Sequence, residues 1–250
     1  MQSNPLPVAR QGVDQGSALP QEGFHGSMQQ HSFDWSATET VIRHCIGECQ
    51  DNKWTTTRGG FMAAGPSGKA TCQIDLPSMM AVENGEYQHP NDYLFSMPNA
   101  VTSQHFIALL AADAAALGVW RNGDLLRHRV LTGYTVRKQQ GKAQMAYQRQ
   151  GGGGRSVGAR IRKRETRRLF QAVSDTFVEW QEDITPCRNL YYAGVTRVWN
   201  EVWDSKRPAA TLTRDDPRWI KVPKSIRRPR FKVLEHIAFE LSHGRVITAL

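Results

Sequence analysis

Asn122-Gly123 is the dipeptide that most restricts how this chain can fold. Both residues tolerate the positive φ of a two-residue turn, and the twist of that turn suits two antiparallel strands. The flanks have strand character. Ala115–Trp120 is a compact apolar run, and Leu125–Val136 is a longer segment with Leu126, His128, Val130 and Thr132 on one face. Ahead of them, His105–Ala111 is a third apolar run of strand length. Together they predict an antiparallel meander ending near Arg137.

Beyond residue 155 the period lengthens. Ser156 can cap a helix running to about Trp180, with Ile161, Leu169, Val173, Phe177 and Trp180 on or near one face. Leu190–Val195 reads as a strand, Thr196–Trp203 as a short helix and Trp219–Val222 as another strand. Phe231–Ser242 reads as a helix closed by Gly244, and Val246–Leu250 as a last strand. A meander followed by alternating helices and strands predicts an α/β domain, a mixed sheet flanked by helices, over residues 103–250. Residues 1–33 are polar, contain Pro5, Pro7 and Pro20, and have no apolar period, which predicts a disordered N-terminal tail. Residues 34–102 read as an N-terminal extension packing on or leading into the domain. It has a helix near Trp35–Cys49 and strands near Thr55–Ala64 and Thr71–Leu76.

Charge separates the two halves. Residues 1–118 hold five Lys/Arg against eleven Asp/Glu, whereas residues 119–250 hold 27 against 12, within a net charge of +9. Such asymmetry predicts that the C-terminal half meets a polyanion, most simply nucleic acid. The longest apolar stretch, Phe106–Trp120, is broken by Asp113 and too short to span a bilayer, and no secretory signal is visible. Four irregularly spaced cysteines give no disulfide framework, which fits a reducing cytoplasm. His44-Cys45 and Cys49 lack a second closely spaced pair, so no metal and no cofactor are expected.

The meander is followed by Lys138-Gln139-Gln140-Gly141-Lys142-Ala143-Gln144, running on to four glycines at 151–154 that no regular element would hold. A long loop inside a compact domain is often functional. A glutamine amide does not titrate near neutrality, but it donates and accepts hydrogen bonds at once. That suits placing a water or a ribose hydroxyl beside a scissile bond. Neighbouring glycines let backbone N–H groups approach developing negative charge. Arg137, Lys138, Lys142 and Arg149 would hold phosphates around this neutral polar tip.

Two separated blocks carry a family resemblance. The first comprises Gly118-Val119-Trp120, Asn122-Gly123, His128, Tyr134-Thr135-Val136-Arg137-Lys138-Gln139 and Gly141-Lys142-Ala143-Gln144; the second, about 85 residues on, is Ile226-Arg227-Arg228-Pro229 with Phe231-Lys232. In this order they resemble the catalytic domain of the ankyrin-repeat and zinc-finger peptidyl-tRNA hydrolases of ribosome-associated quality control. That domain is similar to the middle domain of eukaryotic and archaeal peptide-chain release factors. Over residues 103–250 the resemblance implies an RNase H-like fold and a glycine-glutamine loop that enters the peptidyl-transferase centre. It further implies a metal-independent hydrolase or endonuclease acting on the CCA end of peptidyl-tRNA on a stalled large subunit. Gln144 matches the family's essential glutamine and Gly141 the first glycine of its Gly-x-x-Gln pattern. The two middle positions depart from the eukaryotic Gly-Gly-Ser-Gln, being Lys142 and Ala143. These 250 residues contain no counterpart of the eukaryotic zinc finger, ankyrin repeats or coiled coil, and no motif for an AAA segregase partner is evident.

The resemblance implies that Gln144 and Gly141 are catalytic, and that Arg137, Lys138, Lys142 and Arg149 hold the tRNA end. Arg160, Arg162, Lys163, Arg164, Arg167 and Arg168 would grip the RNA backbone, or else form a solvated helix face. Whether the peptidyl ester or a phosphodiester is cut stays open. The alternative is a non-catalytic ribosome- or RNA-binding factor that retains the fold. A metal-dependent nuclease would need clustered carboxylates, and the basic half groups acids only at Glu182-Asp183 and Asp215-Asp216.

Overall fold

A computed structural model describes residues 27–82, 86–101, 104–133, 157–204 and 212–249, with backbone alone for 98–101 and 157–163. The first half contains β1 (Met28–Asp34), α1 (Thr38–Glu48), β2 (Lys53–Thr57), β3 (Gly60–Ala64), β4 (Ala70–Asp75) and α2 (Pro90–Val101). Then come β5 (Gln104–Leu110), β6 (Ala114–Arg121), β7 (Asp124–Thr132), α3 (Val157–Glu179) and α4 (Gln181–Ile184). The chain ends with β8 (Cys187–Ala193), α5 (Thr196–Trp203), β9 (Trp219–Lys221), α6 (Phe231–Leu241) and β10 (His243–Ala249). These elements form two compact units, one of residues 1–103 with 236–250 and one of 104–235.

The first unit is built on an antiparallel sheet in the order β1-β10-β4-β3-β2. Four features differ from what the sequence predicts. The tail expected over 1–33 contains most of β1, because main-chain pairing of Met28–Asp34 with His243–Ala249 needs no apolar period. Residues 28–32 are all exposed and only Phe33 is buried, so side-chain pattern carries no signal there. Thr55–Ala64 is a hairpin turning at Arg58-Gly59, not one strand. The last strand, expected inside the 103–250 domain, pairs with β1 and β4 and so belongs with the N-terminal segment. Gly244 does not close α6 but lies within β10. A Cβ there would come within 2.5 Å of the Phe33 ring and 2.6 Å of the Asp75 carbonyl, so only glycine lets β10 pass between them.

The second unit holds the sheet that the turn at Asn122-Gly123 organises. These residues have φ of 53° and 81°, and Arg121 pairs directly with Asp124 across them. Strand order is β7-β6-β5-β8-β9, with β5, β6 and β7 antiparallel and β8 and β9 parallel to β5. A meander continued on its other side by two parallel strands reached through helices is an RNase H-like α/β arrangement. Every residue of β5 is buried, as is β6 up to Trp120, because both are interior strands. On one face Phe106, Ala108, Leu110, Ala115, Leu117 and Val119 meet Leu169, Phe170, Val173 and Phe177 of α3 in one core. Burying each large side chain contributes roughly 1.5–3 kcal/mol, which fixes α3 more firmly than its sequence propensity could. Trp180 and Trp199 are buried in this core, and Trp203 is half-buried against Trp199 and Trp219.

Candidate functional site

Gln144, Gly141, Arg137, Lys138, Lys142 and Arg149 lie outside the described residues; the structure describes the frame on either side of 134–156. β7 leads into that segment and α3 follows it. β7 is an edge strand whose residues alternate in exposure, so its two faces do different things. Leu126, His128, Val130 and Thr132 do share a face, and it is the exposed one. The other face, Leu125, Arg127, Arg129 and Leu131, is half-buried.

Arg127 and Arg129 tie β7 to the far end of α3. Arg129 makes a two-pronged bond to Glu179, from Nη1 to Oε2 at 2.6 Å and from Nη2 to Oε1 at 2.8 Å, and also donates to Thr176 Oγ1 at 3.1 Å. Arg127 Nη1 donates to Asp183 Oδ2 at 2.6 Å. Both guanidinium carbons lie over the buried Trp180 ring, 4.7 and 5.4 Å from its centroid, where the electron-rich π face attracts a cation. Hydrogen bonding to Arg129 holds the Glu179 carboxyl below its ordinary range, and the same bond raises Arg129. This cluster is not among the residues the sequence singles out, although two arginines two apart on a strand and two acids four apart, one ending α3 and one in α4, carry its signal.

The root of the segment is fixed from another side. Gly133 N–H donates to the Asp113 carbonyl at 2.9 Å, and its Cα faces Leu169 and the Glu165 carbonyl of α3. The Asp113 carboxylate lies 3.5 Å from Arg228 Nε. The Ile226–Pro229 block therefore meets the end of the meander through Asp113, although some hundred residues separate them in sequence. His128 lies on the exposed face of β7 with its ring against Phe231, centroids 4.3 Å apart.

Of the helical cations, Arg164, Arg167 and Arg168 are exposed. Glu165 pairs with Arg168 at 3.1 Å and with Arg164 at 3.8 Å, while Arg167 meets no acid among the described residues. Arg160, Arg162 and Lys163 lie in the first two turns of α3, a helix with no acid in its first turn. Cations there oppose the partial positive charge of a helix N-terminus, which favours anions. The chain thus carries positive charge directly after 134–156 in sequence, at some cost to the helix. Among the described residues no group of three His, Cys, Asp or Glu side chains could hold a metal ion, and no helix is long and apolar enough to cross a membrane.

The tRNA endonuclease ANKZF1 of Mus musculus is 25% identical over 142 residues, and that of Homo sapiens is 25% identical over 138 residues. These matches cover 56% and 54% of this chain and 19% of each relative, so the chain spans about a fifth of their length. The solved Vms1 mitochondrial localization core aligns with a TM-score of 0.46 and 10% identity over 82% of both chains. The family model bVLRF1, described as the Bacteroidetes VLRF1 release factor, matches residues 101–249, more than half of the chain, and the chain belongs to that release-factor family.

Proposed function

We propose that this protein severs peptidyl-tRNA at its CCA end on stalled large ribosomal subunits in the cytoplasm, with Gln144 as the residue that orients the attacking group. The observation that carries the reading is the concentration of cations over the first turns of α3, a helix with no acid in its first turn, directly after the segment holding Gln144. Its family membership and the tRNA endonuclease relatives support it. Gln144 would accept a hydrogen bond from the attacking hydroxyl or water and donate one to the reacting oxygen. Gly141 would give the backbone its path, and Arg137, Lys138, Lys142 and Arg149 would neutralise phosphates of the tRNA end. No metal is assigned a role.

Two chemistries fit these groups. Water attacking the ester carbonyl carbon breaks the bond to the terminal ribose oxygen, which leaves with a proton. A ribose 2′-hydroxyl attacking the adjacent phosphorus breaks the bond to the next 5′-oxygen and shortens the CCA end. Incubation with a stalled peptidyl-tRNA–large subunit complex, followed by sizing of the tRNA 3′ end, separates them: an intact end reports ester hydrolysis and a shortened one nuclease action. Gln144→Ala should abolish release and leave subunit binding intact. Release at the wild-type rate by that variant would remove Gln144 from the mechanism. The charged Lys142 favours a second reading, a binding factor without catalysis, for which the wild-type protein would co-sediment with large subunits and yield no tRNA product.

A further inference from the structure

Between Lys221 and Lys232 the chain carries six cations and no acid. Lys221, Lys224, Arg227, Arg228, Arg230 and Lys232 are all exposed, whereas Val222 and Pro229 are buried and anchor the segment. Ser225, Ile226, Arg227, Arg228, Arg230 and Val233 line an open groove of about 430 Å³. Among the described residues Arg228 has Asp113 as an acidic partner, and Arg227, Arg230 and Lys232 have none. A concave surface of one sign of charge concentrates a polyanion, and cations spaced along the chain neutralise its phosphates. The groove is joined through Arg228 and Asp113 to Gly133, where the chain leaves the sheet toward Gln144.

We propose that the Lys221–Lys232 groove is an RNA-phosphate site that grips the acceptor arm of the same tRNA whose 3′ end the 134–156 segment works on; the identity of the RNA rests on the function proposed above. Binding here would act before and apart from bond cleavage, setting the register of the tRNA relative to Gln144. The site differs from the α3 cations in position and in backbone: an irregular strap between β9 and α6, with Lys221 and Lys232 at its two ends, rather than one helix face.

The test uses the full chain and a labelled hairpin RNA ending in a single-stranded ACCA 3′ end, followed by anisotropy at several salt concentrations, with purified large subunits in parallel. The triple variant Arg227→Ala, Arg230→Ala, Lys232→Ala should bind the hairpin at least about tenfold more weakly. Its log-affinity against log-salt slope should be shallower by about two, as lost phosphate contacts require. The charge-keeping variant R227K/R230K should bind like wild type, which separates lost charge from lost fold. Equal hairpin affinity for triple variant and wild type overturns the proposal. So does a loss seen with large subunits and not with the hairpin, or an equal loss in the charge-keeping variant. Wild-type protein that binds through the groove yet leaves peptidyl-tRNA intact would remove the cleavage reading and leave the groove standing.

Discussion

Asp113 and Arg228 meet carboxylate to guanidinium at 3.5 Å, while the carbonyl of the same Asp113 accepts the Gly133 N–H at 2.9 Å. One residue in the β5–β6 turn thus holds both the exit of the meander and the basic strap. The Arg228 side chain is 46% exposed, and ion pairs that wet contribute at most about 1 kcal/mol. Asp113→Asn should therefore lower unfolding free energy by less than about 1 kcal/mol in a urea titration. Under the proposed function it should slow single-turnover cleavage several-fold, because Arg228 is no longer held beside the root. Unchanged cleavage would reduce the pair to a surface contact.

Gly118 faces Trp120 two residues along β6. A Cβ at 118 would come within 2.5 Å of two Trp120 ring atoms and 3.2 Å of Leu234 Cδ2. Trp120 is only 5% exposed, so its ring cannot simply swing into solvent. Gly118→Ala should destabilise by roughly 1–3 kcal/mol, the usual range for overpacking. Trp120→Phe in the same chain should recover part of that loss. Simple addition of the two single effects in chemical denaturation would show that the clash is relieved elsewhere.

The second sheet was legible because its strands carry their own signals. Asn122-Gly123 has the turn its residue types demand, and the uninterrupted burial of β5 and β6 matches their apolar runs. Thr196–Trp203 coincides with its predicted span, since Val198, Trp199 and Val202 place one apolar stripe at helical spacing. The first sheet was harder to read. β1 is held by main-chain pairing with a strand over 200 residues away, and no local pattern announces that. Gly244 reads as a helix stop, yet its need for glycine comes from Phe33 and Asp75, both remote in sequence. At the candidate site, residue types and order indicated Gln144 and the cations. They gave no sign that Asp113 joins the two matched blocks, because that contact exists only once β5 and β6 have paired.

Arg218 offers a test by pH. Its guanidinium donates to both Asp216 carboxylate oxygens, at 3.0 and 2.7 Å, and to the carbonyls of Thr185 and Cys187, both at 2.9 Å. The bonds from Arg218 hold the Asp216 carboxyl below its ordinary value. A depressed folded-state pKa gives stability that is fully present above the unfolded value, about 3.9, and lost as pH falls through the folded value. Arg218→Ala should lower stability by about 2 kcal/mol near neutrality, as charged hydrogen bonds to half-buried acceptors suggest. The gap between wild type and variant should then narrow below about pH 4, leaving the share owed to the two carbonyls. A gap constant from pH 7 to about pH 2 would show that Asp216 contributes nothing through Arg218.

Arg160 sits in the first turn of α3, where no acid stands, and a cation there works against the helix dipole by some tenths of a kcal/mol. Arg160→Gln should leave thermal stability unchanged or raise it slightly; under the proposed function it should also weaken binding to large subunits and make its salt dependence shallower by about one. Arg167→Gln, from an exposed position without an acidic partner among the described residues, should weaken binding in the same way with no change in stability. Opposite signs on stability and binding are the signature of charge held for a partner. If Arg160→Gln destabilises the protein and leaves sedimentation with large subunits unaltered at every salt concentration, the cations of α3 serve the fold and not the RNA.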